Sequence, residues 1–407
     1  MKSGLMWLGV VCACGAAVQA QDNAELLARM KAMEDRIKSL EAEVATLKSP
    51  AVTPAATPVA ATPVAPPQEP APTAPPPSPQ VAGSASKVFN PDISVIGDFL
   101  GAAGNGGPRT GPSLEMHESE VGFQAIIDPY ARADFFISFG EKGVELEEGY
   151  LTFPALKGGF QLKVGKMRAA FGKVNTLHNH VLSWTDRPLV TQNFVGGEEG
   201  ISDAGLSLSR IIPAPGGLFL EGTAQVFRGD SEGVFRAERR NNVSTIGHLR
   251  AYKDVSESTN VDLGGSYARG HSEVDGALIN QLYGIDVTVR WKPLRRGLYH
   301  SFLGRSELIW NRNDHAITRG TPFGYYVSGD YQFARRWFLG GRFDRSARQF
   351  DAREHDTGGS LILTYWPSEF SQIRAQARRT TYFGGHEANE FFFQFQFSIG
   401  AHGAHPF

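Results

Sequence analysis

The side chains best suited to chemistry are concentrated in one stretch of the sequence, residues 169–200. His178, His180, Ser183 and Asp186 fall within nine residues there, and these are the residue types of a nucleophile and its base. No Gly-x-Ser-x-Gly elbow surrounds the serine, and the spacing places no nucleophile beside a base. We therefore predict that the protein is not an enzyme, with a hydrolase as the alternative that this stretch leaves open.

Thiol and metal chemistry have little support in the sequence. Cys12 and Cys14 are the only cysteines, so cysteine-based zinc sites and disulfides disappear if the first 20 residues are removed. His402 and His405 are candidate metal ligands, but two histidines alone do not close a metal site. We predict neither a bound metal nor another cofactor.

Charge and hydropathy exclude two broad classes. The 40 lysines and arginines are balanced by 42 aspartates and glutamates, which leaves no basic excess to neutralise phosphates, so no nucleic-acid partner is expected. No run of 18 apolar residues occurs, which excludes a protein that crosses a membrane with helices.

The first 20 residues have the pattern of a secretory signal peptide. Lys2 gives a positive start, Leu5 to Ala17 an apolar stretch, and Val18-Gln19-Ala20 a small-residue cleavage site. We therefore predict a signal peptide over residues 1–20 and export from a bacterial cytoplasm.

Two further segments precede the main domain. Apolar residues recur in alternating steps of four and three, which predicts a coiled-coil helix over residues 21–48; they are Leu26, Met30, Met33, Ile37, Leu40, Val44 and Leu47. A helix packed on its own domain is the alternative. Residues 49–87 are rich in Pro and Ala and hold 12 of the 24 prolines, so they are predicted to form a disordered, extended linker.

Residues 88–407 alternate apolar and polar side chains. In the last strand, Phe391, Phe393 and Phe395 alternate with Gln394 and Gln396. A soluble sandwich would alternate too, but long strands, charges in mid-strand and regularly alternating short and long connections favour an outer-membrane β-barrel. Sixteen antiparallel strands are predicted, at about 92–102, 115–127, 131–140, 144–154, 159–168, 201–211, 217–228, 244–254, 260–271, 280–292, 299–311, 323–334, 337–349, 356–367, 370–382 and 388–400.

Aromatic residues cluster at the predicted strand ends, as in the interfacial girdles of membrane barrels. They are Tyr130, Trp291, Tyr299, Trp310, Trp337, Tyr365, Trp366, Phe370, Tyr382 and Phe383. An even strand count places both barrel ends, and with them the coil and the linker, in the periplasm. The terminal Phe407 is similar to the signal read by the barrel-assembly machinery, which we expect as a partner.

The predicted barrel resembles a bacterial sixteen-stranded porin of the phosphate-selective (porin O/P) type. The resemblance covers residues 90–407 in architecture and is carried by Gly149 to Phe153 and by Leu162 to Gly172. It implies a trimer and a loop between strands five and six that folds into the lumen as a constriction. That loop is 169–200. The apolar residues of the coiled coil by themselves favour a dimer. The resemblance to porins favours a homotrimer, which is the assembly that we predict.

The predicted site residues form two groups. The constriction loop contributes Lys173, His178, His180, Asp186, Arg187, Glu198 and Glu199. The lumen wall contributes the acids Asp98, Glu118, Glu120, Asp134, Glu221, Asp262, Asp286, Glu307, Asp330, Asp344 and Glu390, and the bases Arg132, Lys163, Arg250, Arg290, Arg305, Arg342, Arg374 and Arg378. Acids dominate the early strands and arginines the late ones, which predicts a transverse field across the lumen.

These patterns predict a porin in the outer-membrane lipid, through which small hydrophilic solutes or ions diffuse passively. In the alternative, the barrel is an anchor whose coil and linker tether the outer membrane to peptidoglycan or to a periplasmic partner. A TonB-dependent transporter is not expected, because about 310 residues do not supply 22 strands and a plug.

Overall fold

The computed structural model describes Lys31, Lys38, Ser39 and residues 91–106, 111–140, 143–314 and 320–400. Lys31, Lys38 and Ser39 are helical. The predicted signal peptide, the linker and the rest of the predicted coiled coil lie outside the described residues, as do His402 and His405. Those assignments stay predictions.

Residues 91–400 form sixteen β-strands. Their bounds are β1 (Asp92–Asn105), β2 (Leu114–Asp128), β3 (Ala131–Gly140), β4 (Gly143–Leu156), β5 (Phe160–Arg168), β6 (Ser202–Ile212), β7 (Phe219–Phe227), β8 (Ser244–Ser256), β9 (Thr259–His271), β10 (Ile279–Trp291), β11 (Ser301–Asn313), β12 (Phe323–Ala334), β13 (Trp337–Arg348), β14 (Asp351–Ser368), β15 (Ser371–Thr381) and β16 (Glu387–Gly400).

Each strand pairs antiparallel with its neighbours in sequence, and β1 closes the sheet by pairing with β16. Val95 faces Ile399 and Phe99 faces Phe395 in that closing pair. The predicted sixteen-stranded closed barrel is therefore confirmed. The largest difference is β14, which begins at Asp351 rather than near residue 356.

The outer surface of the barrel is apolar because side chains of one parity point away from the lumen. Phe391, Phe393 and Phe395 of β16 are exposed on it, whereas Gln394 and Gln396 between them are buried inside. Among the described residues, no helix is long and apolar enough to cross a membrane.

Aromatic rings of neighbouring strands stack on that outer surface. Trp337 and Tyr365 lie 4.4 Å apart between ring centroids. Tyr382, predicted to belong to the interfacial girdle, is instead buried and packs with Leu189 and Ala388. The prediction was wrong because Leu189 belongs to the loop inside the barrel, whose position sequence alternation does not reveal.

Two β-bulges change which side chains face the lumen. Between β1 and β2, Asp98 pairs with Glu118 and Phe99 with Met116, so His117 is an extra residue. Between β3 and β4, Phe136 pairs with Glu148 and Ile137 with Leu146, so Glu147 is extra. A bulge places two consecutive side chains on one face, contrary to the strand period of two.

The connection between β5 and β6 is the long loop that the sequence predicts. It contains two short 3-10 turns, Val174–Thr176 and Asn179–Val181, and one helix, α1 (Leu189–Phe194). Its side chains contact wall strands far away in sequence, which places the loop inside the barrel.

Candidate functional site

The two ends of the inserted loop are fixed to each other. Ala169 donates its backbone N–H to Ile201 O at 2.8 Å. The buried Asn175 side chain donates to Ala169 O at 2.9 Å and accepts from the backbone N–H of Ile201 at 2.8 Å. Asn175 thus closes the loop at its base, so residues 170–200 enter the lumen as one unit.

One side of the loop packs in a hydrophobic core inside the barrel. Phe171, Trp184, Val190 and Phe194 of the loop are all buried there. Wall residues of β5 to β14 complete the core: Met167, Phe227, Ile246, Ala268, Leu282, Ile309, Tyr326, Ala347 and Ile362. At the level of the loop, this side of the lumen is therefore filled, because the apolar residues on the inward face of the wall have loop side chains to pack against.

The late strands hold the loop with arginines. Asp186 accepts from Arg342 at 2.8 Å and from Arg378 at 2.6 Å. Arg374 donates to the Leu182 carbonyl at 2.8 Å. Burial by itself would raise the pKa of Asp186, but Arg342 and Arg378 outweigh it and lower the pKa to about 2. Asp186 is therefore an ionised link between the loop and this wall at neutral pH.

Wall groups also bind the loop backbone. The backbone N–H of Thr185 donates to Gln376 at 3.0 Å, and that of Leu189 donates to Asp344 at 3.1 Å. On β11, Glu307 accepts from the backbone N–H groups of Lys173 at 3.1 Å and Val174 at 2.7 Å.

The early strands hold the loop with carboxylates. His178 Nδ1 lies 2.7 Å from Glu120 and 3.1 Å from Glu147, and its Nε2 lies 2.9 Å from Glu148. Burial disfavours the charged imidazole, but the hydrogen bonds that His178 donates to these three glutamates raise its pKa well above the usual value.

The neighbouring loop residues extend these contacts. His180 Nδ1 lies 3.6 Å from Glu118 and 3.8 Å from Glu120. The Asn179 side chain donates to Glu118 at 3.4 Å. Histidines of the loop therefore face the acidic wall, while Asp186 faces the arginine wall.

The remaining predicted loop residues have different surroundings. Arg187 is buried and donates to Asn179 and to the carbonyls of Val174 and Leu177, so it holds the loop's own backbone. Burial, with the nearby charge of Arg250, lowers the pKa of Lys173. Glu198 and Glu199 are exposed.

Several predicted wall residues contact other side chains of the wall. The main pairs are Arg132 with Asp134 at 2.6 Å and Arg250 with Asp262 at 2.7 Å. Arg290 lies 4.0 Å from Asp262, the Lys163 ammonium lies 4.5 Å from the Tyr150 ring centroid, and Asp98 accepts from Gln394 at 2.9 Å. Arg305 of β11 is half-buried. The contacts of these paired residues stay within the wall strands.

The two bulges bring three lumen residues to positions that the sequence did not predict. Glu147 and Glu148 are consecutive, so alternation assigns them to opposite faces, yet the bulge at Glu147 allows both to contact His178. His117 is the extra residue of the other bulge and lies 3.4 Å from Asp98. The consecutive acidic pair in an otherwise alternating strand was the available signal.

The loop leaves space on the side of β1 and β16. An open cavity of about 1220 Å³ lies there, and its lining includes Leu100, His117, Gln192, Arg378 and Glu390. Polar groups of both signs line this space, which suits hydrated solutes rather than apolar ones.

The sequence matches no protein-family model. It is 30% identical to an uncharacterized protein of Aquifex aeolicus (strain VF5), over an alignment of 397 positions that covers 81% of this chain and 82% of the relative.

Solved structures of bacterial outer-membrane proteins share the fold. An anion-selective porin from Comamonas acidovorans has a TM-score of 0.53 at 11% identity, covering 76% of this chain and 99% of its own. OprB of Pseudomonas putida has a TM-score of 0.51 at 12% identity, and the match covers 77% of this chain and 95% of OprB. The trimer form of OmpT, an outer-membrane protein of Vibrio cholerae, has a TM-score of 0.51 at 11% identity, and the match covers 76% of this chain and 100% of OmpT. At these identities the likeness establishes a porin-like barrel fold.

Proposed function

We propose that this chain, which belongs to the same family as the Aquifex aeolicus protein and has the fold of sixteen-stranded bacterial porins, is an outer-membrane channel. Small hydrophilic solutes or ions pass through it by diffusion. The loop 169–200 is its constriction, and the side chains on and facing that loop determine what passes.

The observation that carries this proposal is the attachment of the loop to opposite walls of the lumen. Its histidines contact the glutamates of β2 and β4, and Asp186 contacts the arginines of β13 and β15. A segment held at both walls must be passed by any solute that crosses the barrel. Burying these charges is costly unless they are paired, and most of them are paired through the loop.

The outer surface supports the membrane location. The exposed large side chains of the strands are apolar along β14 and β16, as at Leu361, Leu363 and Phe393. Such a surface would associate in water but is stable in lipid. We infer an outer-membrane position, with the coiled coil and linker in the periplasm.

The assembly is inferred to be a homotrimer. The trimer form of OmpT among the structures of similar fold supports this inference. Chemical crosslinking of the protein in detergent tests it, with a ladder ending at three chains expected and a ladder ending at two against it.

Swelling of proteoliposomes in isotonic solutions of neutral sugars tests the channel. We expect swelling rates that fall steeply from pentoses to trisaccharides, because the loop narrows the lumen. Liposomes with heat-unfolded protein are the control. Equal rates for every sugar would contradict a constriction, and no swelling beyond the control would contradict passage of neutral solutes.

A further inference from the structure

The contact between the loop and the early strands contains a set of metal-ligating side chains. Glu118, Glu120, His178 and His180 are all buried, and each offers one ligand atom within 4.8 Å of the others. Two come from β2 and two from the loop, each pair separated by one residue. A histidine and carboxylate set of this kind is characteristic of zinc and similar divalent ions.

Carboxylates are concentrated in this region. Glu147 and Glu148 adjoin the four ligands, so four carboxylates meet in one place. Arg168 binds Glu147 at 2.9 Å, whereas the Arg187 guanidinium donates to Asn179 and to backbone carbonyls. Glu118 and Glu120 face the two loop histidines, so a divalent ion between these groups would be bound by carboxylates and imidazoles together.

The distances fit tetrahedral coordination. With metal–ligand bonds near 2.0 Å, neighbouring ligand atoms are separated by roughly 3.3 Å. His180 Nδ1 lies 3.6 Å from Glu118 and 3.8 Å from Glu120, too far for good hydrogen bonds but close to that separation. His178 Nδ1 lies 2.7 Å from Glu120, so only small movements are needed.

A second shell is also present. The other ring nitrogen of His178, Nε2, lies 2.9 Å from Glu148. Metal-binding histidines commonly donate their second N–H to a carboxylate, which fixes the ring and its tautomer. Glu148 has this position, since it can orient His178 while Nδ1 faces the ligand set.

We propose that Glu118, Glu120, His178 and His180 bind one divalent transition-metal ion of the zinc type, with Glu148 positioning His178. This proposal departs from the sequence prediction of no metal. Because two ligands belong to the wall and two to the loop, the ion crosslinks the constriction loop to β2.

Zinc titration of the full-length protein in detergent tests the site. After EDTA treatment and dialysis, we expect one Zn²⁺ per chain, measured by equilibrium dialysis with elemental analysis. Co²⁺ added instead should give the intense visible absorption of a tetrahedral centre. Ca²⁺ should not compete, because it prefers oxygen ligands.

Variants separate the proposed site from other histidines. His180→Gln and Glu118→Gln should each weaken Zn²⁺ binding at least 10-fold, and Glu148→Gln should weaken it by about 10-fold or more while keeping all four ligands. His248→Gln removes a lumen histidine bonded to Ser266, and His402→Gln with His405→Gln removes the tail histidines; both controls should bind as the wild type does.

The outcomes are decisive in either direction. Heat-modifiable migration in gels identifies variants that retain a folded barrel, and the conservative Glu148→Gln change gives a result even if a ligand variant does not fold. The proposal is overturned if the wild-type protein takes up no Zn²⁺. It is also overturned if Zn²⁺ binding is lost in the variant without the tail histidines and retained in His180→Gln.

Discussion

Replacing Asp186 by Asn should release the loop from the arginine wall. The change keeps the size of the side chain but removes the charge that Arg342 and Arg378 contact at 2.8 Å and 2.6 Å. Both arginines keep one other carboxylate, Asp344 and Glu390 respectively. The barrel should therefore fold while the docked loop is weakened.

The size of the effect follows from the Asp186 pKa. The carboxyl has a pKa of about 2 in the folded protein against an ordinary value of 3.8. That difference of about 1.8 pKa units corresponds to between about 2 and 3 kcal/mol, or roughly 60-fold in the ratio of released to docked loop. Because the folded pKa is depressed, the stabilisation is complete above about pH 4 and is lost only as the pH falls through about 2.

Planar-bilayer recording at pH 7 measures this effect. Asp186→Asn should raise the fraction of time spent at high conductance by about an order of magnitude or more. Between pH 7 and pH 5 the Asp186 contact should contribute no pH dependence. The matched control is Asp134→Asn, since Asp134 is also a buried lumen carboxylate but is bonded to Arg132 and Gln124 of the wall.

Two results would refute the reasoning. Unchanged conductance of a folded Asp186→Asn barrel would mean that the ion pairs do not hold the loop. An equal rise in conductance for Asp134→Asn would mean that lumen charge, rather than loop attachment, is responsible.

Three other substitutions test the packing. Trp184→Ala removes a buried ring whose centroid lies 5.3 Å from that of Tyr326, and it should destabilise the packed loop by about 3–5 kcal/mol. Protease cleavage within residues 169–200 should then be faster than in wild type. Gly172→Ala places a Cβ against Glu307 in a backbone with a φ of +61°, and it should destabilise the start of the loop by about 1–2 kcal/mol. Amide hydrogen exchange at the start of the loop should be faster than in wild type, and unchanged exchange would contradict this prediction. Phe393→Arg on the lipid face should destabilise the barrel by about 2–4 kcal/mol in urea unfolding from lipid vesicles, and an unchanged midpoint would contradict the outward assignment.

The strands could be predicted because lipid and lumen impose a period of two on every strand. In β16 the alternation of phenylalanines with Gln394 and Gln396 was enough to predict both faces. The bulged residues His117 and Glu147 could not be assigned, because one inserted residue reverses the parity of its neighbours.

The loop position could be predicted only in part. Alternation predicted its length and its place between β5 and β6, and the resemblance to porins implied its insertion, but its partners are remote in sequence, as Asp186 is from Arg342 and Arg378. The large apolar residues Phe171 and Trp184 in a connection between strands were a signal of packing that the charged residues alone do not give. The predicted transverse field did not include the loop, whose groups of opposite charge pair with acids of one wall and arginines of the other.

The central claim is that solutes cross the barrel past the loop 169–200, and cysteine modification during single-channel recording tests it most directly. Gln192→Cys places a thiol on the loop beside the 1220 Å³ cavity, and Glu257→Cys places one on an exposed turn as the control. Reaction with a charged thiosulfonate should change the unitary conductance in discrete steps for the loop variant and leave the control unchanged. Complete modification of Cys at position 192, confirmed by mass, with no change in unitary conductance would contradict the account.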